Sequence, residues 1–251
     1  MRTVITHFYN EAYLLPWWLD HHAAIFDHGI LIDYGSDDGS DDGSDDGSVD
    51  ICRQMVPHWQ VVRSRNLQFE SIAVDFEVMQ YEANLPGWKI ALTTTEFLCG
   101  ANLPMLEQAI EQNGLQGAYL EWAQMVDPFP DVEPVASVPL VRQKHHGFIP
   151  EPTHIGHGRL YHRASIGAYL PGRHQSHLPH IAQANGSGTI FWYAYSPWND
   201  QTLRRKLQIK SQIPENDQKA GFGFQHLRDS QKMNEDRMAL LGRTTDLSHL
   251  I

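Results

Sequence analysis

The segment Leu92-Thr93-Thr94-Thr95-Glu96-Phe97 ends an apolar run in three hydroxyls and a carboxylate, and two further apolar runs end similarly, in Asn10-Glu11 and in Asp33. A carboxylate or amide just past a buried strand can accept hydrogen bonds from the polar edge of a bound ligand. The same Asn10 and Glu11 can instead cap a following helix. A later segment, Tyr169-Leu170-Pro171-Gly172-Arg173-His174, runs into His177 and His180 and so makes a His-x-x-His-x-x-His array. That array suggests zinc, but Gly172 and Pro179 fit a loop, and no cysteine or second ligand pair at zinc spacing accompanies it. Titrating or hydrogen-bonding histidines are the alternative.

Elements of alternating type must position these residues. Thr3 to Phe8 is short and β-rich and reads as a buried strand, whereas Leu14, Leu15, Trp18, Leu19, Ala23 and Ile25 recur at helical spacing within residues 12–26. Pro16 is tolerable there only near the helix start. Residues 29–33 predict a second strand, 49–55 a helix, 59–63 a third strand, 71–83 a helix that Leu85-Pro86-Gly87 stops, and 88–92 a fourth strand. Strands that alternate with helices predict an α/β fold with a mostly parallel central sheet and helices on both faces. Ligands bind such sheets at the carboxyl ends of the strands.

Beyond residue 100 the pattern weakens. Residues 103–112 read as a helix, 118–126 as a strand, 127–139 as a loop with four prolines, and 201–213 and 229–241 as closing helices. Eight histidines among Gly and Pro in residues 145–180 look like loops around a site. One domain over 1–251 is the simplest division, with 3–100 as a binding half and 101–251 as an acceptor or closing half.

The order Ile5-Thr6-His7-Phe8-Tyr9-Asn10-Glu11, then Trp18-Leu19-Asp20-His21-His22, then Ile32-Asp33-Tyr34-Gly35-Ser36-Asp37-Asp38-Gly39-Ser40, resembles the opening of the family-2-like and family-92-like glycosyltransferases. The resemblance spans roughly residues 3 to 100. It implies a GT-A fold, a nucleotide-sugar donor and a carbohydrate or other hydroxyl acceptor. It places Thr6, Asn10, Glu11, Asp33, Thr93 and Thr95 against the nucleotide. In that family the fourth strand ends in Asp-x-Asp, which holds Mn²⁺ or Mg²⁺ against the donor diphosphate, and Glu-Phe often follows.

Here the aspartates are Thr93 and Thr95, although Glu96-Phe97 keeps the flanking context. A hydroxyl is a poor ligand for a hard divalent cation because it brings no charge to offset dehydration. Three readings follow. Glu96 with His174 can hold a metal, side-chain cations can neutralise the diphosphate without one, or the fold is kept as a noncatalytic binding module. The candidate cations are Arg163, Arg173, Arg204, Arg205 and Lys210, with Arg173, Arg204 and Lys210 foremost. An inverting transfer also needs a general base, for which Glu121, Asp127 and Glu151 compete. Trp122, Trp192 and Trp198 can stack on sugar faces or simply fill the core.

The tract GSDDGSDDGSDDGS over residues 35–48 writes one four-residue unit three times. A single GSDDGS turn satisfies the family pattern, so the extra units read as a tandem expansion of a solvent-facing loop, which adds little closure entropy. The calcium alternative aligns Asp42, Ser44, Asp46, Gly47, Val49 and Asp50 with an EF-hand loop, but Arg53 stands where the closing bidentate Glu belongs. A metal-binding protein that uses this repeat or the histidines is thus a further alternative.

The net charge of the 251-residue chain is -11, and the six repeat aspartates supply more than half of it. The mildly acidic remainder excludes a phosphate-backbone binder, so no nucleic-acid partner is expected. Cys52 and Cys99 sit among apolar residues and predict buried thiols rather than a disulfide framework. No apolar run approaches the ~20 residues that span a bilayer, and no signal-like segment opens the sequence, so a cytoplasmic protein without a transmembrane segment is expected.

Overall fold

The computed structural model describes residues 1–35, 46–66, 68–151, 158–223 and 227–251. The first half alternates through β1 (Arg2–Phe8), α1 (Leu15–Ala23), β2 (His28–Asp33), α2 (Ser48–Met55), β3 (Gln60–Arg63), α3 (Ser71–Glu82) and β4 (Trp88–Ala91). The second half adds β5 (Glu96–Cys99), α4 (Leu103–Gln112), β6 (Gly117–Val126), α5 (Leu140–Gln143), β7 (His146–Phe148), β8 (Arg159–His162), β9 (Ile181–Gln183) and β10 (Thr189–Tyr195). The chain closes through α6 (Asp200–Gln208), a 3₁₀ turn (Ile209–Gln212), α7 (Glu215–Ala220), α8 (Ser230–Leu241) and β11 (Thr245–Asp246).

The first four strands form a parallel sheet in the order β3-β2-β1-β4. Their side chains alternate between two buried faces. Val4, Leu31 and Ile90 pack with residues of α1, α2 and α4, while Ile5, Ile30, Ile32 and Ala91 pack with Val78 of α3. Helices therefore cover both faces of a mostly parallel central sheet, the α/β class the strand–helix alternation predicts. β8 extends it antiparallel to β4 and to β6, so β6 returns to the direction of β4. β10 then runs parallel to the far half of β6 and antiparallel to β5.

Two expectations change. The helix expected over residues 12–26 is shorter, because residues 11–14 form a turn in which the carbonyl of Glu11 accepts from the amides of Leu14 and Leu15. Residues 145–180 are not all loop, since they contain β7 and β8. All four residues of β8 are buried. Its Arg159 and His162 look solvent-facing in sequence, but their partners Glu96 and Glu82 lie far along the chain. Gly158 makes room for this strand: at φ 143° it passes 1.8 Å, measured from an ideal Cβ, from the carbonyl oxygen of Leu120. Cys52 and Cys99 are buried free thiols. Among the described residues, no helix is long and apolar enough to cross a membrane.

Candidate functional site

The carboxyl edge of β1 and β2 turns on Asn10, which takes φ 48°. Gln208 of α6 holds that turn, its Nε2 donating to the carbonyls of Tyr9 at 3.2 Å and Asn10 at 3.0 Å. Glu11 next to it is 4% exposed, and its Oε1 accepts from Arg205 Nη1 at 3.0 Å. Burial raises the pKa of this carboxyl, against the pull of Arg205 and of Thr94 nearby. The Glu11 amide donates to Ser48 Oγ at 2.9 Å, and Asp46 accepts from Ser48 Oγ, Ser48 N and the amide of Ala12. The last aspartate of the acidic repeat thus ties the start of α2 to the site. Repeat residues 36–45 lie outside the described residues, and with them Asp42 and Ser44 of the calcium alternative.

Beside this edge stands an aromatic wall. His7, Tyr34 and Phe69 have ring centroids 5.4 to 6.3 Å apart. Burial, then Arg173 and Arg159, push the pKa of His7 well below the ordinary value, so its imidazole is neutral. Asp33, at the end of β2, is buried and pairs with the largely exposed Arg63 at 2.8 Å. Thr6 is fully buried, its hydroxyl 3.4 Å from the carbonyl of His7.

At the end of β4 the hydroxyls of Thr93 and Thr95 lie 2.9 Å from each other. Glu96 accepts from the Thr93 amide at 2.7 Å and from Arg159 Nε at 2.8 and 2.9 Å on its two oxygens. Burial alone would raise its pKa, but Arg159 and that amide outweigh it and hold the carboxyl below its ordinary range. Arg159 Nη1 also donates to the carbonyl of Gly172 at 2.6 Å. From the other side, Asp75 of α3 accepts from the Gly172 amide at 2.7 Å and from Arg173 Nη1 at 2.5 Å. Arg173 itself sits at φ 59° and is 3% exposed, its Nη2 3.4 Å from His7 Nδ1. The Gly-Arg-His loop is therefore clamped by two buried ion pairs. His174 remains exposed, close enough for its charge to act on Glu96.

This donor set does not fit a divalent cation. Both oxygens of Glu96 are occupied by a guanidinium, the threonine hydroxyls are bonded to each other, and no group of three His, Cys, Asp or Glu among the described residues could hold a metal ion. His177 and His180 are exposed.

Helix α6 crosses the same edge and carries cations that sequence reasoning weighed only in part. Arg204, and Lys210 in the 3₁₀ turn that follows the helix, are exposed. Arg205 turns in to Glu11, and the neighbouring Lys206, which no motif marks, is half-buried with its Nζ 5.0 Å from the ring centre of Tyr195. Arg228 reaches the Tyr195 hydroxyl at 3.3 Å and Asp236 at 2.6 Å. A helical pattern read for inward-facing positions is the signal that would have found Lys206. Arg163 is remote and pairs with Glu111 at 3.3 Å.

Of the candidate bases, Asp127 is 2% exposed and accepts from Lys144 Nζ at 2.6 Å, Phe129 N at 3.0 Å and Trp198 N at 3.1 Å. Glu121 is engaged by the amide of Gly186 at 2.8 Å, on the turn that precedes β10. Glu151 is exposed beyond β7. Trp122 and Trp192 form a half-buried edge-to-face pair at 5.3 Å, and Trp192 lies in register with Glu96. Trp198 is core. A cavity of about 230 Å³ lies under residues 128–132, away from Glu11, with Asp127, Phe129, Lys144 and His146 among its walls.

No family model matches this sequence, and no curated protein matches it. Solved structures similar to it include S. aureus TarS, at 13% identity and TM-score 0.48 over 84% of this chain. Residues 1–349 of S. aureus TarS in complex with UDP-GlcNAc align at 11% identity and TM-score 0.49 over the same share. This chain spans 39% and 66% of those two chains, respectively.

Proposed function

We propose that this protein is a GT-A-type glycosyltransferase that moves a sugar from a nucleotide-sugar to a hydroxyl acceptor, in the cytoplasm and without a divalent metal. The observation that carries the reading is the convergence, on one carboxyl edge of a parallel sheet, of a buried acceptor (Glu11), an aromatic wall (His7, Tyr34, Phe69) and inward-turned cations (Arg205, Lys206). Those are the parts a nucleoside diphosphate needs: hydrogen-bond acceptors, a stacking face and positive charge.

In this reading the nucleoside lies between the ends of β1 and β2 and the loop that carries Phe69, with Asp33 accepting from it. Thr93 and Thr95 offer hydroxyls toward the donor, and Glu96, Arg159, Asp75 and Arg173 act as a frame that fixes the loop presenting His174. Trp122 and Trp192 provide apolar faces for sugar rings. Glu151 serves as general base, because Asp127 and Glu121 are committed to structural hydrogen bonds.

Calorimetric titration with a panel of nucleosides and nucleoside diphosphates tests this reading. One nucleotide should bind, and Asp33→Ala should weaken it about tenfold, the loss of a charge-assisted hydrogen bond. Its fold should survive, since Arg63 is solvated. Binding of none of the panel sinks the reading.

The mutually bonded Thr93 and Thr95 favour a second reading, a noncatalytic module that binds nucleotide or carbohydrate. Nucleotide binding without donor hydrolysis or transfer, with or without EDTA, would select it.

A further inference from the structure

We propose that Arg205 and Lys206 in the last turn of α6, together with Arg228, form a diphosphate subsite. The proposal rests on the nucleotide reading above and deepens it. Two cationic side chains meet at Tyr195: Lys206 lies over its ring and Arg228, just before α8, donates to its hydroxyl, while Arg205 precedes Lys206 in α6 and pairs with Glu11.

Each carboxylate around them already pairs with a guanidinium. Glu11 accepts from Arg205, and Asp236 accepts from Arg228 and Lys232. Among the described residues Lys206 makes no ion pair, so it faces two guanidinium groups and an aromatic ring. Burial, then the charges of Arg205 and Arg228, lower its pKa to about 7, against a weaker opposing pull from Glu11. A lysine whose charge is opposed first by burial and then by two guanidinium groups is a site in which an anion is the missing partner.

The position suits a diphosphate. Arg205 is bonded to Glu11 at the β1 edge, and Gln208, three residues further along the same helix, fixes the Tyr9–Asn10 turn. An anion on Lys206 therefore lies beside the carboxyl ends of the parallel strands, where phosphate groups of nucleotides gather in open α/β sheets. The bound anion restores the ordinary preference of the amine for its charged form, and the proton comes from solvent.

The balance fixes the pH dependence. Above pH 7 the free lysine is mostly neutral and must gain a proton on binding; at pH 6 it is already charged and gains none. The test uses inorganic pyrophosphate, UDP and uridine as probes in the presence of EDTA, by calorimetry in buffers of different ionisation enthalpy.

Pyrophosphate and UDP should bind, and the proton uptake due to Lys206, taken as the difference from Lys206→Arg so that protons lost by the ligand cancel, should be about one at pH 8 and almost none at pH 6. Lys206→Gln should lower affinity for both at least about tenfold. Lys206→Arg, a fixed cation, should keep most of the affinity and lose the uptake, a result that a merely structural lysine cannot give. Thermal unfolding of both variants checks that each is folded.

Wild-type affinity in Lys206→Gln, or unchanged uptake in Lys206→Arg, overturns the proposal, as does the absence of pyrophosphate binding. Uridine binding that UDP does not improve rejects the subsite while the nucleotide reading stands. Lys206-dependent pyrophosphate binding with no gain from a nucleoside does the reverse.

Discussion

Arg159 places its Nε 2.8 and 2.9 Å from the two carboxylate oxygens of Glu96, and both side chains are buried. This pair stands at the end of β4, where a metal-dependent enzyme of the resembled family would gather ligands. A guanidinium fills that place with positive charge that cannot be chelated away. It also binds the carbonyl of Gly172, so one residue of β8 fixes both the end of β4 and the Gly-Arg-His loop.

Breaking this pair should therefore be a stability effect before it is a binding effect. Arg159→Met leaves Glu96 buried and uncompensated, and should destabilise the fold by ~3–5 kcal/mol in urea titrations. Added Mn²⁺ or Mg²⁺ should not raise the thermal midpoint of the wild-type protein. A metal-dependent rise would show that the carboxylate is exchangeable, contrary to the frame proposed for it.

The parallel half of the fold is legible in sequence because each strand from Thr3 to Leu92 is a short stretch rich in β-branched and apolar residues, and helical stretches separate these strands. The part that fails is β8. Arg159 and His162 are residues that sequence patterns place in water, and the Arg159–Glu96 ion pair and the His162–Glu82 hydrogen bond let the strand be buried. Site residues divide in the same way. Glu11 and Asp33 are visible because strand ends are visible, whereas Lys206 lies on a helix face that only tertiary packing defines.

Acid should destabilise the protein before its carboxylates titrate. His7 and His22 are buried with pKa values pushed well below the ordinary range, chiefly by burial. Below about pH 6.5 the unfolded chain binds protons at both and the native state does not, so stability falls as pH falls. Urea midpoints measured from pH 8 to 5 should decline. His7→Asn should flatten part of that slope, and an unchanged slope would assign it to other groups.

The acidic repeat should divide into dispensable and anchoring parts. Deleting eight residues of the tandem units while keeping Asp46-Gly47-Ser48 should leave stability and nucleotide affinity unchanged, because long surface loops differ little in closure entropy. Asp46→Ala removes the acceptor for Ser48 and for the Ala12 amide and should lose ~1–2 kcal/mol. Thermal denaturation of the two variants separates these outcomes. An equal loss in both would mean that the repeat acts as one structural unit.

Asp127 and Glu151 should separate structure from chemistry. Asp127 accepts three hydrogen bonds and forms a buried pair with Lys144, and its carbonyl accepts from Arg237 Nε at 3.1 Å. It thereby joins the end of β6, the residues before α6, and α8. Asp127→Asn keeps the shape but strands the Lys144 ammonium, so it should lower stability by about 3 kcal/mol or more and reduce activity only through the folded fraction. Glu151→Gln should be silent in denaturation and in nucleotide binding, yet lower the transfer rate by ~10²-fold or more, as expected for loss of a general base. Activity per folded molecule is the deciding measurement. If Asp127→Asn folds stably and loses transfer while Glu151→Gln transfers normally, the base is Asp127, and its three hydrogen bonds tune a catalytic carboxylate rather than hold a corner of the fold.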